Sequence, residues 1–348
     1  MAQKKIHKHI EIIRSNKSGL SSMGEKSGNA AYTLLKAHYT KVGIRVVNNL
    51  DELERVAAMQ PDLVFLGSKY IPGVEPGTKV WISDYLNQRG IRHTGSPESA
   101  IRLERNKPLA KQRVLDANLK SSQYAVIKSG ERFDDKNSTL RFPMFIKPVD
   151  MGAGQGVDAK SVVRNLNELH AKVDSLAARY GADALIEEFL PGREYSVAIL
   201  KREDSDDLIA MPLELVPGPN EDGHRILSHA LKSAPLETPV FPVTDPVVRA
   251  ALIELATNAF VALGARDYGR IDIRMDQAGV PHFLEANLIP CLIEGSGNFP
   301  KACAMNIGMD YEAMMLHIVR LALARSAEAD VELGPIDVRY PVVAPVPA

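Results

Sequence analysis

The sequence predicts an α/β unit with a doubly wound parallel sheet, followed by two α+β units, and three observations carry that expectation. Strand-like and helix-like runs alternate through the first hundred residues, as a small parallel sheet requires. Past Ser96-Pro97 the alternation stops, and strands come in groups separated by single helices. The length also agrees, because 348 residues with 45% hydrophobic content can bury two or three cores.

Taken in order, strands are expected at 10–13 (IEII), 45–49 (RVVNN), 62–67 (DLVFLG) and 91–95 (IRHTG). Between them, residues 30–39 carry apolar side chains at helical spacing, and Asp51 is placed to cap ELERVAAM. Residues 80–89 put Trp81, Tyr85 and Leu86 on one side of a helix that Gly90 ends. A long helical stretch at 98–117 leads to strands at 122–127 and 142–148, with an exposed hairpin tip at 132–138. Then come a helix at 165–179, strands at 184–190 and 195–200, the strand LIAMPLELV and a Pro/Gly-rich loop at 217–229. A helix at 246–263, a hairpin at 268–288 and a last helix from 311 to 325 follow. The expected division is 1–97, 98–197 and 198–330, with an extended Pro-rich tail at 331–348.

Charge excludes whole classes of partner. Lys and Arg number 42 against 43 Asp and Glu, so no global basic field gathers nucleic acid or an anionic membrane. Two cysteines, Cys291 and Cys303, are too few for a disulfide framework and lack zinc-site spacing. No apolar run reaches the ~18–20 residues of a membrane span. The expected setting is cytoplasmic, and the expected partner is a small molecule in a local site.

The most informative stretch is GRIDIRMDQAGVPHFLEAN at 269–287. A symmetric hairpin about Asp276-Gln277-Ala278-Gly279 would set Asp272 opposite Phe283 and Arg270 opposite Glu285. Alternation then places Arg270, Asp272, Arg274, Phe283, Glu285 and Asn287 on one face, and Ile271, Ile273, Met275, Leu284, Ala286 and Leu288 on the other. The first face holds two carboxylates and an amide, hard oxygen ligands of the kind Mg²⁺ accepts when phosphates complete its shell. The competing interpretation is a solvated face, against which stands the apolar Leu288-Ile289-Pro290 that follows.

A second signal is FPMFIKPVDMGAGQGV. Lys147 ends an apolar strand, and Gly152, Gly154 and Gly156 follow in a loop able to lay backbone N–H groups on phosphate oxygens. The spacing is not that of a dinucleotide fingerprint. Near the N-terminus, residues 19–27 (GLSSMGEKS) approach a P-loop, but Glu25 shifts Lys26 out of register. What remains is an acidic residue after a strand, suited to a substrate ammonium group. In ALIEEFLPGREYSVAIL, Glu187, Glu188 and Glu194 flank a turn at Pro191-Gly192 inside apolar strands.

In order, NKPLAKQRVLDANL, FIKP with its glycine loop, IEEFLPGREYSVAIL, GRIDIRMD and LEANLIP resemble the ATP-grasp enzymes, and within them the D-alanine–D-alanine ligase type. The resemblance covers residues 90–325 and, more loosely, the N-terminal unit. It implies a two-domain ATP-grasp fold behind the parallel-sheet domain. It also implies ATP and two Mg²⁺ ions, replaceable by Mn²⁺, with Lys107 and Lys147 on the phosphates and Gly152, Gly154 and Gly156 as a lid. Glu187 would take the adenine amino group, the backbone of Phe189 and Leu190 the ring edge, and Glu194 the ribose. Asp272, Glu285 and Asn287 would hold the metals, and Arg270 the transferring phosphoryl group. Lys232 stands near the family's active-site lysine, and Glu25 is the candidate for the first substrate's ammonium group.

The substrate-side segments depart from the family pattern: Ala153 and Gly154 replace loop serines, and Ile289 to Gly297 replaces a Gly/Met/Ser/Thr stretch. The expected activity is therefore an ATP-dependent ligation of a carboxylate to an amine through an acylphosphate, on small amino-acid-like substrates. The alternatives are an authentic D-alanine–D-alanine ligase of cell-wall synthesis, a non-catalytic ATP-binding regulator, and a dehydrogenase, which lacks its fingerprint. A homodimer is compatible with the resemblance.

Overall fold

Strand β1 (Ile6–Arg14) is the middle of a three-stranded parallel sheet in the order β2-β1-β3, with β2 at Tyr39–Val46 and β3 at Leu63–Leu66. The computed structural model describes residues 4–325 except 18–19, 135, 137, 153, 221–222 and 228–237. The four residues of β3 are all buried, as a strand covered on both faces must be. Helices α1 (Glu25–His38) and α2 (Leu50–Ala58) supply the crossovers. Asn49, not Asp51, caps α2, its side chain accepting from the Glu52 N–H; Asp51 lies in the first turn beside the helix dipole. The segment 91–95 makes only one parallel bridge, Val64 to His93, and is no full strand. A small hairpin, β4 (Tyr70–Pro72) with β5 (Lys79–Trp81), precedes α3 (Ile82–Asn87) and gave no alternating signal, being three residues a side.

The expected long helix at 98–117 is two, α4 (Glu98–Arg105) and α5 (Lys107–Asp116). Asn106 leaves helical geometry at φ −126°, ψ 80°, and its side chain caps α5 by accepting from the Leu109 N–H. Pro108 in the first turn suits that start, since its missing N–H would have had no partner there.

The middle unit is an antiparallel sheet in the order β6-β9-β7-β8, from β6 (Tyr124–Ile127), β7 (Met144–Pro148), β8 (Val162–Val163) and β9 (Ala184–Glu188), backed by α6 (Leu166–Tyr180). Because β9 lies between β6 and β7, residues 132–138 are not a hairpin tip, and Phe133 and Leu140 are buried in the core beneath. The last unit is a five-stranded antiparallel sheet, β12-β11-β10-β13-β14. Its strands are β10 (Glu194–Lys201), β11 (Leu208–Leu215), β12 (Val240–Pro242), β13 (Tyr268–Met275) and β14 (Pro281–Asn287). Helix α7 (Pro246–Ala262) packs on one face, and α8 (Asn298–Ile307) and α9 (Tyr311–Ala324) on the other. A boundary at 197/198 would cut β10 in half; the chain leaves one sheet at Glu188 and enters the next at Glu194. The tail at 331–348 lies outside the described residues.

Helix α9 joins the two ends of the molecule. Its Met315 and Ile318 share one core with Ile10, Ile12 and Phe65 of the parallel sheet and Met211 and Leu213 of the last sheet. No described helix is long and apolar enough to cross a membrane.

Candidate active site

The floor of the site is set by strand register. Across β10, β13 and β14 the partners form three rows: Ala198–Arg270–Asn287, Ser196–Asp272–Glu285 and Glu194–Arg274–His282. Asp272 therefore faces Glu285, and Arg270 faces Asn287, which corrects the symmetric pairing. Two irregularities produce this. Met275 pairs with Pro281, so the turn is one residue longer than assumed, closed by Asp276 N–H to the Val280 carbonyl. Alone, that slip would turn Glu285 into the core. A bulge between Asp272 and Ile273 inserts a further residue and turns it back. The cost falls on two side chains: Phe283 pairs with Ile273 and is fully buried, while Leu284 lines the cleft, the reverse of the expected faces.

Asp272 is the centre of this floor. Arg270 donates to both its oxygens, Nε to Oδ1 at 3.0 Å and Nη2 to Oδ2 at 3.1 Å. Ser196 Oγ adds a bond to Oδ1 at 2.8 Å and Asn287 Nδ2 one to Oδ2 at 2.9 Å. Beside it, Arg274 donates to Glu194 Oε2 at 2.8 Å and to the Leu190 and Arg225 carbonyls at 2.6 and 2.9 Å. These bonds tie Glu194 and the 189–193 connection to β13. Phe189 is stacked edge-on against His224, with ring centres 4.8 Å apart.

Above the floor lies a cleft lined by Lys107, Lys147, Gly154 and Gln155 and by Asp272, Glu285 and Leu284. Glu187, Phe189, Leu190 and Glu194 line the same cleft. Nine of the expected residues thus line one cavity, and Arg270 and Asn287 stand directly behind Asp272. Gly154 and Gly156 have φ of +72° and +75°, and a Cβ on Gly156 would sit 2.6 Å from Pro148 Cγ, so glycine is required there.

The lysines differ in their surroundings. Lys147 lies 2.8 Å from Glu187 Oε2, and Lys111 lies 2.7 Å from Oε1. Lys111 is fully buried and also donates to Ser121 Oγ, Ser122 Oγ and the Phe283 carbonyl, which ties β9 to the bulged strand β14. Burial would raise the Glu187 carboxyl, but Lys111 and Lys147 outweigh it and hold the group at about 2. Burial pushes the Lys107 ammonium down to about 8; Glu285 opposes this, while Lys147 and Arg105 add to it. Lys107 donates to the carbonyls of Val149 and Met151, at the entrance to the glycine loop.

Sequence reasoning missed Lys111 and Ser196. Lys111 is one helical turn from Lys107, and Ser196 alternates with Glu194, so i,i+4 and period-two spacing were the available signals. Glu25 is exposed in the first turn of α1 and is not among the residues lining this cleft, whereas its expected role is at the first substrate's ammonium group. Lys232 lies outside the described residues. Among the described residues no three His, Cys, Asp or Glu side chains cluster as for a metal; the hairpin offers two carboxylates and an amide.

With this geometry in place, comparison with known proteins is informative. Residues 114–320 match the family described as D-ala D-ala ligase C-terminus. The chain belongs to that family. With it, this ATP-grasp ligase shares 28% identity with a D-alanine–D-alanine ligase of Geobacter sulfurreducens, over 89% of the chain and 92% of the relative. A D-alanine–D-alanine ligase of Bordetella petrii is 29% identical over 91% of the chain and 92% of its own. An uncharacterised protein of Sinorhizobium fredii is 28% identical over 69% of each. Among solved structures, the D-alanine–D-alanine ligase of Bacillus anthracis complexed with ATP superposes with a TM-score of 0.72 at 19% identity, covering 91% of this chain and 97% of that one. The VanG D-Ala:D-Ser ligase of Enterococcus faecalis gives 0.65 at 20% identity, covering 91% and 100%. These structural likenesses establish the parallel sheet followed by the ATP-grasp fold.

Proposed function

We propose that the cleft binds ATP and that the ligase joins a small carboxylate substrate to an amine through an acylphosphate. The observation that carries this is the convergence of Lys107, Lys147 and the glycine loop over the paired carboxylates Asp272 and Glu285. Cations alone would suit any anion. Cations facing a hard-oxygen set suit a polyphosphate bound with a divalent metal. Asp272, Glu285 and Asn287 would hold Mg²⁺ or Mn²⁺, Asp272 exchanging part of its Arg270 contact to do so. The metal would spread charge over the phosphate oxygens.

The chain's own residues then divide the work. Lys107 and Lys147 fix the phosphates, and Arg270, released from part of its bond to Asp272, is placed to meet negative charge at the reacting centre. Glu187 keeps one acceptor position on Oε2 for the adenine amino group, its other positions being filled by Lys147, Lys111 and Ser122. Glu194, oriented by Arg274, is placed for the ribose. A substrate carboxylate oxygen bonds to the γ-phosphorus as ADP leaves. The amine nitrogen next bonds to the acyl carbon, gives up a proton, and phosphate leaves. Glycine-loop closure would keep water from the acylphosphate.

The named relatives make a D-alanine pair the first combination to try, and the altered segment at 289–297 favours a wider panel. The test is ADP release across acid and amine pairs, with ¹⁸O followed from the carboxylate into phosphate. No ADP with any pair would refute ligation, and phosphate free of label would refute the acylphosphate. Asp272→Asn should lower turnover by about 10²- to 10³-fold; a wild-type rate would remove Asp272 from the site.

A further inference from the structure

One cation beside the cleft has no part in the reading above. Arg105 is the last residue of α4, and Lys107 is the first of α5. In an unbroken helix, side chains two residues apart diverge by ~200° and cannot serve one ligand. The break at Asn106 removes that constraint, and both side chains reach the start of the glycine loop. Lys107 donates to the Met151 carbonyl, and Arg105 Nη1 lies 3.1 Å from where a Cβ on Gly152 would stand. The ring of Tyr70 supports the guanidinium from the N-terminal unit, 5.9 Å from Cζ.

The local charge is unbalanced. Arg105 and Lys147 both act on Lys107, so three cations converge at one loop entrance. Lys147 has Glu187 as its counter-charge, and Lys107 feels Glu285. Among the described residues, the Nε of Arg105 is buried without a hydrogen-bond partner. Such a group is expensive unless a hydrogen-bond acceptor completes it, and a phosphate oxygen is one. Arg105 is not on the cleft wall with Lys107 and Lys147 but behind Gly152, toward the N-terminal unit. A nucleotide with its adenine at the Glu187 end and its phosphates at the lysines would present its last phosphate on that side.

We propose that Arg105 contacts the terminal phosphoryl group of the nucleotide across the glycine loop, so that it acts on ATP and not on ADP. This rests on the assignment of the cleft to ATP. The experiment measures Kd for Mg-ATP and for Mg-ADP, at fixed ionic strength and without other substrates, in the wild type, Arg105→Gln and Arg105→Lys. The expected result is about a 10-fold loss of ATP affinity in Arg105→Gln with ADP affinity unchanged. Arg105→Lys should recover part of the loss. Retained ADP binding shows that the variants are folded. Equal loss for both nucleotides, or no loss for either, would overturn the proposal. So would an unchanged ATP-to-ADP ratio with a raised KM for the acid substrate, which would make Arg105 a carboxylate contact instead. A wild type that binds neither nucleotide would overturn the ATP assignment itself and this proposal with it.

Discussion

Lys111 shows how much of the site depends on a residue that touches no expected ligand. It is a buried ammonium with four acceptors, one of them Glu187, and removing it leaves a carboxylate in the core with one lysine instead of two. Lys111→Met should cost about 3–5 kcal/mol of stability, the penalty for breaking a buried pair from one side. Melting at the wild-type temperature would refute that role. Lys107 gives a pH prediction with a definite sign. Its free-state value of about 8 lies below the ordinary lysine value because burial disfavours the charged form. A bound polyanion favours the charged form, so nucleotide affinity should be full below pH 8 and weaken as pH rises through it. Titrating Kd from pH 6.5 to 9.5 checks this; a flat profile would remove Lys107 from the phosphates. At this scale the sequence revealed residue type and order well: Asp272, Glu285 and Asn287 share one floor, as alternation implied. It did not reveal partners. Nothing in the spacing of Glu187 shows that both its oxygens face lysines, because those come from a helix and a strand 76 and 40 residues away.

Most of the elements were legible because their periods are long and clean, and the failures fall where one residue changes the geometry. Asn106 splits a helix whose apolar pattern runs through it. The hairpin of β13 and β14 fails twice by one residue, and the errors cancel at Glu285 but not at Phe283. Because the register through the bulge sets the face of Glu285, inserting one alanine after Leu284 should turn Glu285 and Asn287 toward the core and abolish ligation. Activity within 10-fold of wild type in that insertion variant would show that this register does not place Glu285 in the site. No periodicity argument could have located it, since a bulge is a departure from period.

For the whole molecule, the order of units was legible, while the way they are joined was not. Alternating strands and helices at the front imply an independent parallel sheet, yet Ile10, Ile12 and Phe65 share their core not only with α1 but with α9, about 250 to 300 residues later. Hydrophobic pattern shows that a face is buried, not what buries it. Removing residues 1–97 should therefore uncover the outer side of α9 and give an aggregating product; a monomeric, soluble fragment that still binds ATP would contradict this. Arg325 ties the same junction with polar bonds, to Asp267 at 2.5 Å and to the Gly95 carbonyl at 3.3 Å, while Arg92 donates back to the Arg325 carbonyl at 2.8 Å.

That junction also sets an order on biosynthesis. A chain leaves the ribosome from its first residue, and front domains generally fold as soon as they emerge. Here one apolar side of the first sheet, covered only in part by α1, must wait for the helix at 311–324 to be made. At ~5–20 residues per second that wait is on the order of tens of seconds, during which the nascent chain offers a hydrophobic surface to chaperones and to its neighbours on the same message.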